Sequence, residues 1–165
     1  MPEISLSIMT KGLARQFYSE FTLDPDLFLD KSLYKPFEYT PEFSDDRVDR
    51  YKAMGRVFLA VMLDDKPIGE IVLKEIDSAR QCCTMGISMV NDAYKNKGYG
   101  TAAEQLAIRY AFQKLKLKTV FADTLITNIR SQHVLKKVGF REIRRNQEFI
   151  YYQIDAPDIG QPTLL

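Results

Sequence analysis

"YKNKGYGTAAEQLAIRYAF", Tyr94 to Phe112, sets two glycines, Gly98 and Gly100, at the start of a long helical pattern. From Gly98 to Leu115 the apolar residues Ala102, Leu106, Ala107, Tyr110, Ala111 and Leu115 recur at three- and four-residue steps, which predicts an amphipathic helix. A helix N-terminus offers unpaired N–H groups and a partial positive charge, and glycine lets an anion come close to the backbone. The stretch therefore reads as a cradle for phosphate.

Several phosphate turns have this general form. A P-loop is excluded, because Gly98-Tyr99-Gly100-Thr101 lacks the four-residue spacer and the Gly-Lys-Ser/Thr end. The dinucleotide fingerprint fits in outline as Gly98-x-Gly100-x-x-Ala103, with Asp123 about 20 residues on. Two features weigh against a nicotinamide cofactor. Seven residues, "NDAYKNK", separate Val90 from Gly98, whereas that fingerprint follows its strand directly, and the 42 residues after Asp123 supply no further parallel crossovers.

The rest of the chain supplies the frame. "ISLSIM" (Ile4–Met9) reads as a strand, and "KGLARQFYSEF" and "DPDLFLDKSL" as one or two helices with a proline-marked break. Ser44 as N-cap and Gly55 as stop predict a helix near 44–54. "RVFLAVML", "IGEIVLKEI" and "QCCTMGISMV" (Gln81–Val90) form a three-strand meander. After the glycine turn and its helix come a strand, "KTVFADTLI", a helix, "NIRSQHVLKKV", stopped by Gly139, and a final strand pair around Asn146-Gln147. "APDIGQPTLL" reads as a tail. Antiparallel strands followed by a strand–helix–strand crossover predict one mixed α/β domain.

Composition bounds the function. The 165 residues suffice for one domain, and no apolar run approaches the ~20 residues of a membrane helix. The N-terminus lacks a signal-peptide layout, so the cytoplasm is the expected compartment. Neighbouring Cys82 and Cys83 have no zinc-ligand spacing and rarely close a disulfide, so no metal is expected. The net charge of +1 is unevenly spread. Residues 1–93 hold 11 Lys/Arg against 16 Asp/Glu, and residues 94–145 hold 12 against 3. A basic segment opening at the glycine turn suits a polyphosphate, and an acidic first half suits a cationic partner.

Lys95-x-x-Gly98-x-Gly100, placed after the strand Gln81–Val90, resembles the Gln/Arg-x-x-Gly-x-Gly/Ala signature of the GCN5-related N-acetyltransferase (GNAT) superfamily. "NIRSQHVLKKVGF" (Asn128–Phe140) is similar to that family's Asn-x-x-Ser/Ala…Lys-x-Gly-Phe segment. The resemblance covers roughly Ile68 to Tyr152 and is closest in flavour to the RimJ/RimL-type ribosomal-protein branch. It implies a single domain over 1–165, with an acceptor-side cap over 1–55, a cofactor-binding core over 56–154 and a tail over 155–165. It implies a mixed, mostly antiparallel sheet of six or seven strands with flanking helices and a splayed central strand pair.

The resemblance also assigns roles. Backbone N–H groups of Asn96, Lys97, Gly98, Tyr99, Gly100 and Thr101 would hold the pyrophosphate of acetyl-CoA, the co-substrate. Met89 and Val90 would pair with the pantetheine, with a free N–H left to stabilise the oxyanion. Asn128 and Ser131 would border the pantetheine, and Lys95, Lys97 and Lys137 would serve the phosphates. The family's frequent base, a Glu six residues before the position of Val90, is Thr84 here, and its frequent acid, a Tyr seven residues after the Asn, is Leu135. Asp123 remains as candidate base, with Glu75 behind it, and Ser131 as candidate proton donor to the thiolate. His133, beside two lysines, reads as an exposed residue rather than a catalyst.

The implied activity is acetyl transfer to a primary amine, with a protein N-terminal α-amine favoured. A small amine (a polyamine, aminoglycoside or amino acid) and a non-catalytic coenzyme A sensor are the alternatives. No nucleic-acid or membrane partner is expected, and related folds often form homodimers.

Overall fold

The computed structural model describes residues 3–157, so the final residues of the expected tail lie outside it. The meander is present as β2 (Val57–Leu63), β3 (Lys66–Asp77) and β4 (Cys82–Met89), joined antiparallel, with β1 (Ile4–Ile8) pairing along β2. β5 (Thr119–Leu125), β6 (Arg141–Arg145) and β7 (Phe149–Asp155) complete one seven-stranded sheet in the order β1-β2-β3-β4-β5-β7-β6. This mixed α/β architecture, mostly antiparallel, is the one expected.

Among the described residues four α-helices flank the sheet: α1 (Lys11–Glu20), α2 (Pro41–Ala53), α3 (Tyr99–Arg109) and α4 (Ile129–Val138). The helices α1 and α2 pack on β3 and β2, and α3 packs across β1, β3 and β4. Central strands covered on both faces must be apolar nearly throughout rather than alternating, and β2 and β3 are buried along most of their length.

Three local expectations are corrected. The second helix starts at Pro41 with Thr40 as its cap, the Thr40 hydroxyl accepting the Phe43 N–H at 3.1 Å. Ser44 is buried inside that helix and donates to the Pro41 carbonyl. "DPDLFLDKSL" forms two 3₁₀ turns, Pro25–Leu27 and Lys31–Leu33, because the Asp24 and Asp30 carboxylates each accept an N–H two residues on and close a local turn instead of a longer helix. The helix of the opening stretch is α-helical only to Arg109, and residues Tyr110–Lys114 widen into a π-helical turn.

The functional consequence of the topology lies at the sheet's centre. β4 and β5 are the parallel pair that α3 connects, and they match over three positions only, Cys82–Thr84 against Thr119–Phe121. Beyond Thr84 the two strands part. The sheet opens between Met85–Met89 on one side and Ala122–Leu125 on the other.

Candidate active site

The gap between β4 and β5 holds a cavity of about 280 Å³, which shares lining residues with a cleft of about 750 Å³ that runs past the end of β4. Leu27, Ile87, Glu104, Asn128 and Ser131 line both. Which backbone groups face the gap follows from strand alternation. The Val90 N–H donates to the Ile68 carbonyl at 2.8 Å, so Val90, Ser88 and Gly86 turn their hydrogen-bonding groups toward β3. Those of Met85, Ile87 and Met89 turn the other way, and Ile87 and Met89 line the cleft. Met89 therefore faces the gap, whereas Val90, which the resemblance pairs with it, turns away. Val90 is fully buried, and its carbonyl accepts the Thr22 N–H at 2.9 Å.

The strand leads into the glycine turn before α3. Asn91 caps a 3₁₀ turn over Asp92–Tyr94, Asn96 takes a left-handed φ of 59°, and Gly98 caps α3 with a φ of 83°. No side chain caps α3, and its first backbone bond is Ala102 N–H to the Gly98 carbonyl. The N–H groups of Tyr99, Gly100 and Thr101 are thus left without helical partners at the cleft wall. Asn96, Gly98, Gly100 and Thr101 line the cleft. Tyr99 instead buries its ring beside Tyr94.

The charged residues divide unevenly. Lys95 lines the cleft, but its side chain is 11% exposed and its ammonium is held at 2.9 Å by both Asp24 and Asp92. Lys97 is exposed outside the cleft lining, whereas Arg130, His133 and Lys137 of α4 lie along it. The Asn128 carboxamide oxygen accepts the Ser131 N–H at 3.1 Å, so Asn128 caps α4 and Ser131 is the capped residue. Asp123 is exposed on β5 opposite Tyr151 and lines the smaller cavity with Ser131 and Leu135. Glu75 accepts from the Thr84 hydroxyl at 3.0 Å, as the hairpin register suggests, but neither residue lines either cavity.

One residue was missed from sequence. Glu104 of α3 is 1% exposed, and its Oε2 has no hydrogen-bond partner among the described residues. Burial pushes its carboxyl up to about 8. The signal was in the helical period. The buried stripe of α3 is Tyr99, Ala103, Glu104, Ala107 and Ile108, one position off the stripe read through Ala102 and Leu106. An acid in that stripe is out of place unless it has work to do.

A model of the acetyltransferase (GNAT) domain matches residues 6–141. The chain belongs to the GNAT acetyltransferase family. YdaF of Bacillus subtilis (strain 168), provisionally named a ribosomal N-acetyltransferase, is 26% identical over 116 residues, 70% of this chain and 63% of that protein. The chain spans less than two thirds of the length of the curated relatives it matches. Among solved structures, Mycobacterium smegmatis RimJ in complex with CoA-disulfide superposes with a TM-score of 0.75 at 16% identity, covering 98% of this chain and 85% of that one. A spermidine N-acetyltransferase SpeG chimera from Vibrio cholerae and hSSAT gives 0.72 at 17%, covering 92% and 95%. In this GNAT chain the parted β4–β5 pair and the uncapped α3 N-terminus border adjoining cavities.

Proposed function

We propose that this GNAT domain transfers the acetyl group of acetyl-CoA to the free α-amine of a protein or peptide. The observation that carries the cofactor assignment is the orphaned N–H set of Tyr99, Gly100 and Thr101, opening beside unpaired strand backbone at Ile87 and Met89. An extended chain of amides ending in a polyphosphate matches that order of groups. The pyrophosphate would sit at residues 96–101 and the pantetheine along Ile87 and Met89. Arg130 and Lys137 would answer the remaining phosphate charge. Acetyl-CoA would supply the activated acetyl group.

The residues then divide the work. The N–H groups of Ile87 and Met89 turn into the gap, where an oxyanion would be met by a fixed dipole. Asp123, at the smaller cavity, is the base that takes the acceptor's proton, and Asn128 holds α4 in place behind it. Leu27 lines both cavities, and Leu29 and Leu33 stand exposed in the same segment. An exposed apolar rim suits residues that follow an N-terminal amine in a peptide, and the name of YdaF supports that choice.

Coenzyme A release with a panel of substrates tests the reading. Peptides with a free N-terminus are expected to release thiol, and their N-acetylated counterparts are not. Spermidine outpacing every peptide would replace the acceptor class. Coenzyme A binding with no thiol released from any amine would favour a sensor. Asp123→Asn is expected to lower kcat by about a hundredfold.

A further inference from the structure

The reaction needs a proton for the sulfur that leaves, and Ser131, the donor expected from sequence, is a hydroxyl with no acid strength of its own near neutral pH. We propose that Glu104 is the catalytic acid, delivering its carboxyl proton to the coenzyme A sulfur where the cleft and the smaller cavity meet. This rests on the acetyl-transfer reading above.

The placement carries the proposal. Gly98 and Glu104 lie on the same helix, with Glu104 past the first turn, deeper along the path a pantetheine takes from the α3 N-terminus. Glu104 lines both cavities, so the residue stands at the junction between cofactor side and acceptor side. An orphaned carboxyl oxygen in a native interior needs an explanation, since almost all such atoms are paired. Glu70, also buried, is explained structurally: the Tyr18 hydroxyl donates to it, and Arg47 Nη2 lies 3.3 Å away. Glu104 has no such partners among the described residues.

Other charged groups face the same space. Asp123 approaches from β5, Arg130, His133 and Lys137 from α4, and Tyr94, Lys95 and Asp24 from the segments before α3 and after α1. Lys95 and Asp24 are committed to each other. With burial alone acting on it, Glu104 stays protonated through neutral pH and can donate.

The step balances. The acceptor nitrogen forms a bond to the carbonyl carbon, the carbon–sulfur bond breaks, and its electron pair stays on sulfur. The Glu104 proton completes the thiol, and the nitrogen's proton goes to Asp123. A proton passing back from Asp123 to Glu104 through water resets both groups.

Measurements on the full chain decide it, and the first requires no acceptor. With glutamate side chains ¹³C-labelled and the Glu104 signal assigned through Glu104→Gln, the Glu104 titration should differ between complexes with coenzyme A and with desulfo-coenzyme A, which lacks only the sulfur. Identical titrations overturn the proposal. Should Glu104→Gln not fold, Glu104→Asp supplies the assignment. In turnover with an N-terminal alanine peptide, Glu104→Gln should cut kcat by about a hundredfold or more and abolish the decline in kcat at alkaline pH. Its Kd for coenzyme A should stay within about twofold, the near-isosteric amide keeping the cleft's shape. A variant with unchanged kcat and a Kd weakened about tenfold or more would make Glu104 a pantetheine ligand and overturn the assignment. Absence of turnover by the wild-type chain counts against acetyl transfer, whereas the comparison of the two coenzyme complexes judges Glu104 separately.

Discussion

Two carboxyls lie buried among the described residues, and their partners separate structure from chemistry. Glu70 is held by Tyr18 and Arg47, while Arg47 itself stacks over Tyr51 with 4.7 Å between its guanidinium carbon and the ring centroid. Burial still raises Glu70, against the pull of Arg47 and Tyr18. Glu104 is raised by burial alone, to about 8 from 4.5. Between those two values the folded chain binds the Glu104 proton more tightly than the unfolded chain does. The wild type therefore loses stability as pH rises through that window, and the loss is complete above about 8. Glu104→Gln has no proton to lose. Its Tm relative to wild type is expected to climb by at least about 2–4 °C from acid to pH 8, the shift of roughly 1 kcal/mol in a domain of this size. Thermal melts at both ends check this, and a difference independent of pH would mean the carboxyl is not protonated in the fold. At this scale the sequence was legible in part: Asp123 and Ser131 stood out by motif position. Glu104 did not, because the helix face was read one position off and an acid near a glycine turn passes for surface.

The decisive element is the α3 N-terminus, and its two glycines do different jobs. Gly98 has a φ of 83°, in the left-handed region where a side chain is strained. Gly100 lies inside the helix, and a Cβ added there meets nothing within 4 Å. Gly98→Ala is therefore expected to destabilise by about 1 kcal/mol and weaken coenzyme A binding about tenfold as the N–H set tilts. Gly100→Ala should hold or raise stability, by up to about 1 kcal/mol, since alanine is the better helix former. Urea titrations of the pair check the opposite signs, and equal losses would place the conformational demand elsewhere. Element types were readable because turns and periods are local: the meander, the crossover helix and the closing hairpin all stand where the pattern puts them. The N-H polarity of β4 was not readable. It depends on the Val90 bond to Ile68, 22 residues away, and a one-residue change in alternation turns Ile87 and Met89, rather than Val90, into the gap.

Across the whole molecule the acidic first half and the basic segment after Tyr94 meet at Asp24 and Asp92, which both hold Lys95. Asp24 bonds Lys95 across 71 residues of sequence and lies 3.8 Å from Arg130, so it ties the segment after α1 to both arms of the cleft. Partial burial would raise its carboxyl, but the Asp26 N–H and Lys95 offset this and hold it below the usual range. The charge asymmetry was visible in composition, but the pairing was not, because nothing local links Asp24 to Lys95. The tie has an electrostatic cost for an anionic ligand: it places a negative charge at the cleft wall and occupies a lysine. Asp24→Asn should then tighten coenzyme A binding a few fold in dilute buffer. The gain should shrink as salt shortens the screening length to about 3 Å near 1 M. Calorimetric titration at two ionic strengths checks it. Weaker binding by a folded Asp24→Asn chain would show instead that Lys95 serves the phosphates only when Asp24 holds it in place.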